Sequence, residues 1–202
     1  MSPRPRKVTD QEVFAAAWRA MRRLGPGDLT LAEIAAEAGV TAGALAQRFG
    51  SKRALLLALA HSAAASAGEQ VRSIRRAYRS PSAALRAYAE CLAELAASPA
   101  VLARNLAYLQ VDLGDPDFRD RLAAQGRATR AELLELLREA VAAGELKRGT
   151  DPRTLVRVLE VALNGALFTW ACYLEGTAAG FMRSVVDAVL APYRAPRRVS
   201  AR

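Results

Sequence analysis

The sequence predicts an all-α protein of about nine helices, because nine helix-start signals punctuate the chain. Two further observations agree. Hydrophobic residues make up 52% of the 202 residues, chiefly Ala and Leu, and they recur at helical rather than alternating spacing. Runs of Val, Ile and Thr that would mark strands are missing.

The first signal is a Thr9–Glu12 capping box, opening a helix to about Leu24 with Val13, Phe14, Ala17 and Met21 inward. Gly25-Pro26-Gly27 ends it, and Leu29 is set to pack back on it. Thr30 and Glu33 form a second capping box, followed by one apolar face of Leu31, Ile34, Ala35 and Ala38. Gly39 falls where the chain must turn left-handed, and Val40 is placed to plug the corner. Thr41 caps the next helix, whose inward residues are Leu45 and Phe49. A small Ala35, a turn glycine four residues on and an inward Leu describe a helix-turn-helix over residues 30–49.

Ser51 can cap a long helix from Lys52 to Arg79 without a flexible linker. Ser80-Pro81 starts the next, with Leu85, Tyr88, Leu92 and Leu95 as its apolar stripe. Ser98-Pro99 starts another, in which Leu102, Leu106, Leu109 and Leu113 read as core, and Asn105, Tyr108 and Asp112 as a polar stripe. Asp115-Pro116 opens a long helix closed by Gly144. Asp151-Pro152 and Gly176-Thr177 introduce the last two.

Charge points to a polyanion. The formal net charge is +9 and the pI near 10.3, which suits nucleic acid, although basic proteins also bind membranes. Lysine is confined to Lys7, Lys52 and Lys147; with so much Ala this suggests G+C-rich coding DNA, so the overall charge is discounted. Placement says more. Residues 1–53 hold nine Arg or Lys against five Asp or Glu, with Arg48, Lys52 and Arg53 on or beside the second motif helix. Residues 1–8 read as a flexible basic arm that either reaches DNA or is a bare tail.

The segment AGVTAGALAQRFGSKRALLLAL resembles the DNA-binding signature of the TetR family of bacterial transcriptional regulators. Gly39, Val40, Thr41, Gly43, Leu45, Phe49, Ser51, Lys52 and Leu55 match the family pattern, as do Phe14 and the Leu29-Thr30 pair upstream. The likeness in motif covers about residues 8–60; beyond it, helix order and lengths agree. One departure matters: Ala46 stands where the family usually has a tyrosine on the DNA backbone, and it follows alanines at 42 and 44.

The expected DNA-binding residues are therefore Thr30, Thr41, Ala42, Gly43, Gln47, Arg48 and Lys52. Gln can bond adenine and Arg guanine bidentately, each worth about 1–3 kcal/mol of discrimination; the alternative is that both touch only phosphates. The resemblance places Lys52 beside phosphates, which position without specifying. Thr30, at a helix N-terminus, is a second anion contact.

The resemblance also implies that residues 54–193 form a helical effector-binding and dimerisation domain, and 194–202 read as a disordered basic tail. Tyr88, Cys91, Asn105, Tyr108, Asn164, Phe168 and Cys172 are candidate lining for an apolar cavity with a few polar groups; packing alone also accounts for them. The last two helices are apolar over more than one face. Leu155, Leu159, Ala162, Ala166, Trp170, Phe181, Val185 and Val189 are the expected homodimer interface.

Other classes lack support. Cys91 and Cys172 have no metal-ligand spacing and are too few for a disulfide scaffold. The single His61, without a glycine-rich phosphate loop or an HExxH, leaves no catalytic constellation, and no cofactor is expected. No apolar run reaches the roughly 18 residues of a spanning helix, so a cytoplasmic location without a membrane partner is expected. The expected function is a repressor on double-stranded DNA with a near-palindromic operator, released by a small apolar or amphipathic effector. A constitutive DNA-binding or nucleoid protein on the same scaffold is the alternative.

Overall fold

The computed structural model describes residues 8–196. Among the described residues nine α-helices run in order: α1 Asp10–Arg23, α2 Leu31–Ala38, α3 Ala42–Phe49, α4 Lys52–Ala77, α5 Pro81–Leu92, α6 Pro99–Gly114, α7 Pro116–Ala142, α8 Pro152–Tyr173 and α9 Ala178–Leu190. Each begins where a side-chain oxygen relieves unpaired N–H groups. Thr9, Thr30, Thr41 and Ser51 cap the first four. Ser80, Ser98, Asp115, Asp151 and Thr177 cap the remaining five. The Thr9–Glu12 box is complete. At Thr30 only half of it forms, because the Glu33 carboxylate turns to Arg23 at 3.4 Å.

The chain divides into two compact units. The first comprises Met1–Ala64 with Ala103–Ala123, the second Ala65–Leu102 with Ala124–Arg202. In the first, Gly39 closes α2 at φ 69°, and the Val40 N–H reaches back to the Ala35 carbonyl at 3.0 Å. That turn lays α3 across α2, and α1 closes the group. Their buried residues Val13, Phe14, Leu29, Ile34, Leu45 and Leu55 form one core.

Tyr108 of α6 joins this core, so the head takes in more than residues 1–53. The α6 stripe read as polar is the one that packs here. Tyr108 is 7% exposed, whereas Leu106 and Leu113, read as core, are 42% and 52% exposed. The reason is hydrogen bonding. The last carbonyls of α1 need donors, and α6 supplies them from Tyr108 and Arg104, which leaves Leu106 and Leu113 outward while Leu102 stays buried as expected.

In the second unit α5, α8 and α9 pack around Leu85, Leu133, Leu136, Leu137, Leu155 and Leu159. By length and composition α8 could cross a membrane, which a count of uninterrupted apolar residues missed; 39% of that window is buried here. It is the core helix of this unit, and its Glu160 accepts from Arg130 of α7 at 2.7 Å. Arg194 and Ala195, read as the start of a loose tail, are held. Leu146 and Arg194 form an antiparallel bridge, and the Ala195 N–H donates to the Glu145 carbonyl at 3.0 Å. Residues 1–7 of the arm and 197–202 of the tail lie outside the described residues.

Candidate nucleic-acid interface

The candidate surface is built from α3. Leu45 is buried and Phe49 rests against Phe14 of α1, ring centroids 6.1 Å apart. One face of the helix is thereby anchored, and Thr41, Gly43, Ala44, Ala46 and Gln47 are left exposed. The Thr41 hydroxyl accepts from the Ala44 N–H at 3.1 Å, and its own O–H remains free to donate. A Cβ at Gly43 would meet only the Thr41 hydroxyl at 4.0 Å, so the head itself does not require glycine there. The missing side chain exposes backbone to whatever approaches. Ala42 is different from expectation: it is half-buried and packs on the head core.

Two expected DNA contacts are held by partners within the protein. Arg48 Nη1 donates to the Val8 carbonyl at 2.6 Å, Nη2 pairs with the Asp10 carboxylate, and the guanidinium lies 5.5 Å from the Phe49 ring centroid. Lys52 Nζ donates to the carbonyls of Leu29 at 2.7 Å and Pro26 at 3.2 Å. The ammonium thus uses two of its three donors to staple the start of α4 to the loop after α1. Thr30 is exposed, with its oxygen capping α2 and its proton available. Sequence spacing identified these side chains but not their partners, which are 23 to 40 residues away.

The charge of the head is also largely internal. Arg19 pairs with Glu37 at 2.7 Å, and Arg23 with Glu33 at 3.4 Å. Arg53 pairs with Asp115 at 2.8 Å and Asp117 at 2.7 Å, beneath the ring of Phe118 at 5.7 Å. Hydrogen bonds donated to the carboxylates of Asp117 and then Asp115 raise the Arg53 pKa. Between residues 8 and 64 six Arg or Lys face five Asp or Glu, so the net positive charge of residues 1–53 comes mainly from Arg4, Arg6 and Lys7. Exposed pairs of this kind contribute only about 0–1 kcal/mol each to stability.

The residues expected to line an effector cavity are divided between the two units. Asn105 and Tyr108 belong to the first unit, Tyr88 and Cys91 to the second. Tyr88 is half-buried against the helical core; burial, then Glu160 and Cys91, push its pKa up to about 12. Cys91 is exposed beside a shallow groove with Ser73, Ile74, Tyr78 and Glu90. Asn164, Phe168 and Cys172 stand in a row on the open side of α8.

On α8 several residues expected at a dimer interface are buried within the protomer. Leu155 and Leu159, placed in a dimer interface by sequence, are 1% and 0% exposed and belong to the protomer's own core with Ala166 and Trp170. Ala162 is half-buried, as are Phe181, Val185 and Val189 of α9. The uncovered face is Val158, Val161, Gly165, Phe168 and Cys172, with Val161 75% and Phe168 60% exposed. Among the described residues no three His, Cys, Asp or Glu side chains gather as metal ligands would.

Residues 13–59 match the family of bacterial regulatory proteins of the tetR type, and residues 105–186 match the tetracyclin repressor-like C-terminal domain. The fold is similar to a TetR transcription regulator from Haloarcula marismortui at 19% identity and a TM-score of 0.73, covering 92% of this chain and 97% of that one. A TetR transcriptional regulator from Streptomyces coelicolor is 26% identical with a TM-score of 0.68, covering 93% and 99%. FadR from Thermus thermophilus, a TetR-family transcriptional repressor solved with lauroyl-CoA, is 23% identical with a TM-score of 0.56, covering 96% and 100%. No protein of curated function matches the chain.

Proposed function

Since the chain belongs to the TetR family of bacterial regulatory proteins, and so to a family of DNA-binding regulators, we propose that it is a cytoplasmic repressor of a near-palindromic operator, released by a small effector. The observation that carries this reading is the exposed face of α3, where Thr41, Gly43 and Gln47 stand free of the head's own packing. A helix anchored on one side and open on the other can enter a major groove. Gln47 is the side chain of that face with the reach and the donor–acceptor pair to read adenine.

A palindrome requires two heads. The apolar row on α8 from Val158 to Cys172 supports pairing of two copies, since Gly165 lets partner backbones approach closely and the exposed Val161 and Phe168 gain burial. The effector is assigned by class: apolar or amphipathic, as the acyl-CoA held by the Thermus thermophilus relative is. It acts by binding better to a dimer geometry whose recognition helices no longer fit adjacent grooves.

Selection of bound sequences from random duplex DNA by the purified full-length protein tests the reading. A palindromic consensus whose half-sites lie about one helical turn or more apart is expected. Gln47→Ala should relax it at one position in each half-site. Recovery of no consensus would remove the operator from the proposal.

A further inference from the structure

The guanidinium of Arg48 sits on the exposed helix α3, yet it is bound on three sides by the protein. Its Nη1 holds the Val8 carbonyl at 2.6 Å, its Nη2 holds the Asp10 carboxylate, and its face covers the Phe49 ring at 5.5 Å. The partners arrive together for a reason of register. Asp10 and Phe14 are one turn apart on α1 and so share a face, while Arg48 and Phe49 are consecutive on α3. The ring pair Phe14–Phe49 at 6.1 Å therefore brings the carboxylate over the guanidinium. Gln47, one residue earlier, has no such partner among the described residues and is exposed.

We propose that Asp10 is a specificity-determining residue that withholds Arg48 from DNA, leaving operator reading to Gln47, Thr41 and the Gly43 backbone. This rests on the DNA-binding reading above. An arginine fork is the commonest side-chain reader of guanine and a ready phosphate ligand. On a helix stripped to alanine at 42, 44 and 46, a free Arg48 would dominate binding by charge alone. A carboxylate on the neighbouring helix removes that contribution, and the Val8 carbonyl keeps the fork turned toward α1. The pair lies at the surface, with side chains 35% and 54% exposed. Removing the carboxylate therefore releases the arginine without opening the core.

The test uses the full chain on its selected operator, with binding measured across a salt series for wild type, Asp10→Asn, Asp10→Ala, Arg48→Ala and the double variant Asp10→Asn/Arg48→Ala. Each phosphate newly neutralised steepens the dependence of log affinity on log salt by about 0.9. Either Asp10 variant should steepen it by about 1.8 for a dimer, so that its gain shrinks about ten-fold between roughly 50 and 200 mM salt. Arg48→Ala alone should leave consensus and slope as in wild type, and the double variant should return to the wild-type slope.

If Arg48→Ala alone weakens binding or flattens its salt dependence, Arg48 already touches DNA and the proposal is wrong. It is equally wrong if Asp10→Asn tightens binding by the same factor with and without Arg48, because the gain is then only the loss of a negative charge. Failure of the wild-type protein to select any palindrome is a separate result: it strikes the DNA-binding reading itself and takes this inference with it.

Discussion

The phenol of Tyr108 donates to the Leu24 carbonyl at 3.1 Å, and Arg104 Nε donates to the Arg22 carbonyl at 2.9 Å. Both acceptors lie at the C-terminal end of α1, where carbonyls have no partner within their own helix. Tyr108→Phe should cost about 1 kcal/mol, the net worth of one hydrogen bond. Tyr108→Ala also empties a buried ring site and should cost about 3–5 kcal/mol. Urea unfolding of the two variants separates the bond from the packing.

Lys52 is expected to behave as a structural residue before it behaves as a DNA ligand. Lys52→Met keeps the length of the side chain but strands the Leu29 and Pro26 carbonyls. A loss of about 1.5–3 kcal/mol is expected from hydrogen bonds to a charged group. Operator preference should be unchanged, since a lysine held by backbone carbonyls reads no base, and phosphate contacts carry no sequence information. Thermal unfolding together with sequence selection checks both halves.

The proposed dimer face makes a contrast within one helix. Phe168→Arg places a charge on the uncovered side of α8 and should yield a folded monomer by sedimentation, with operator affinity lost. Leu159→Ala, on the buried side, should instead lower stability by about 2–5 kcal/mol. A Phe168→Arg protein that remains dimeric would move the interface elsewhere.

Asp112 gives a pH prediction. Burial, and then the neighbouring Asp115 carboxylate, raise its pKa above the ordinary 3.8. A carboxyl whose folded value is raised is more costly when ionised in the fold than in the unfolded chain. Above the folded value both states are ionised and the cost is complete; below 3.8 both are protonated and it is gone. Asp112→Asn should therefore raise the melting temperature at neutral pH. Its advantage over wild type should vanish as pH falls through the ordinary carboxyl value. Melts between about pH 7 and pH 3 measure this.

What the sequence determined by itself is what depends on neighbouring residues. The nine N-caps, the left-handed turn at Gly39 and the inward Leu45 and Phe49 could all be read, because a cap or a turn is satisfied within four residues of where it is written. The all-α class and the helix-turn-helix followed from them. Periodicity also showed that α6 and α8 each carry two usable stripes, but not which one faces inward. Only tertiary structure decided that. On α6, unpaired carbonyls at the end of α1 drew Tyr108 and Arg104 inward and left Leu106 and Leu113 outside. On α8, packing against α9 and the rest of the core took Leu155, Leu159 and Trp170 and left Val161 and Phe168 uncovered. Arg48 and Lys52 were legible as cations beside a recognition helix, and their commitment to Asp10 and to the Leu29 carbonyl was not. A long flexible cation takes whichever acceptor the fold brings within reach, and these acceptors come from distant parts of the chain.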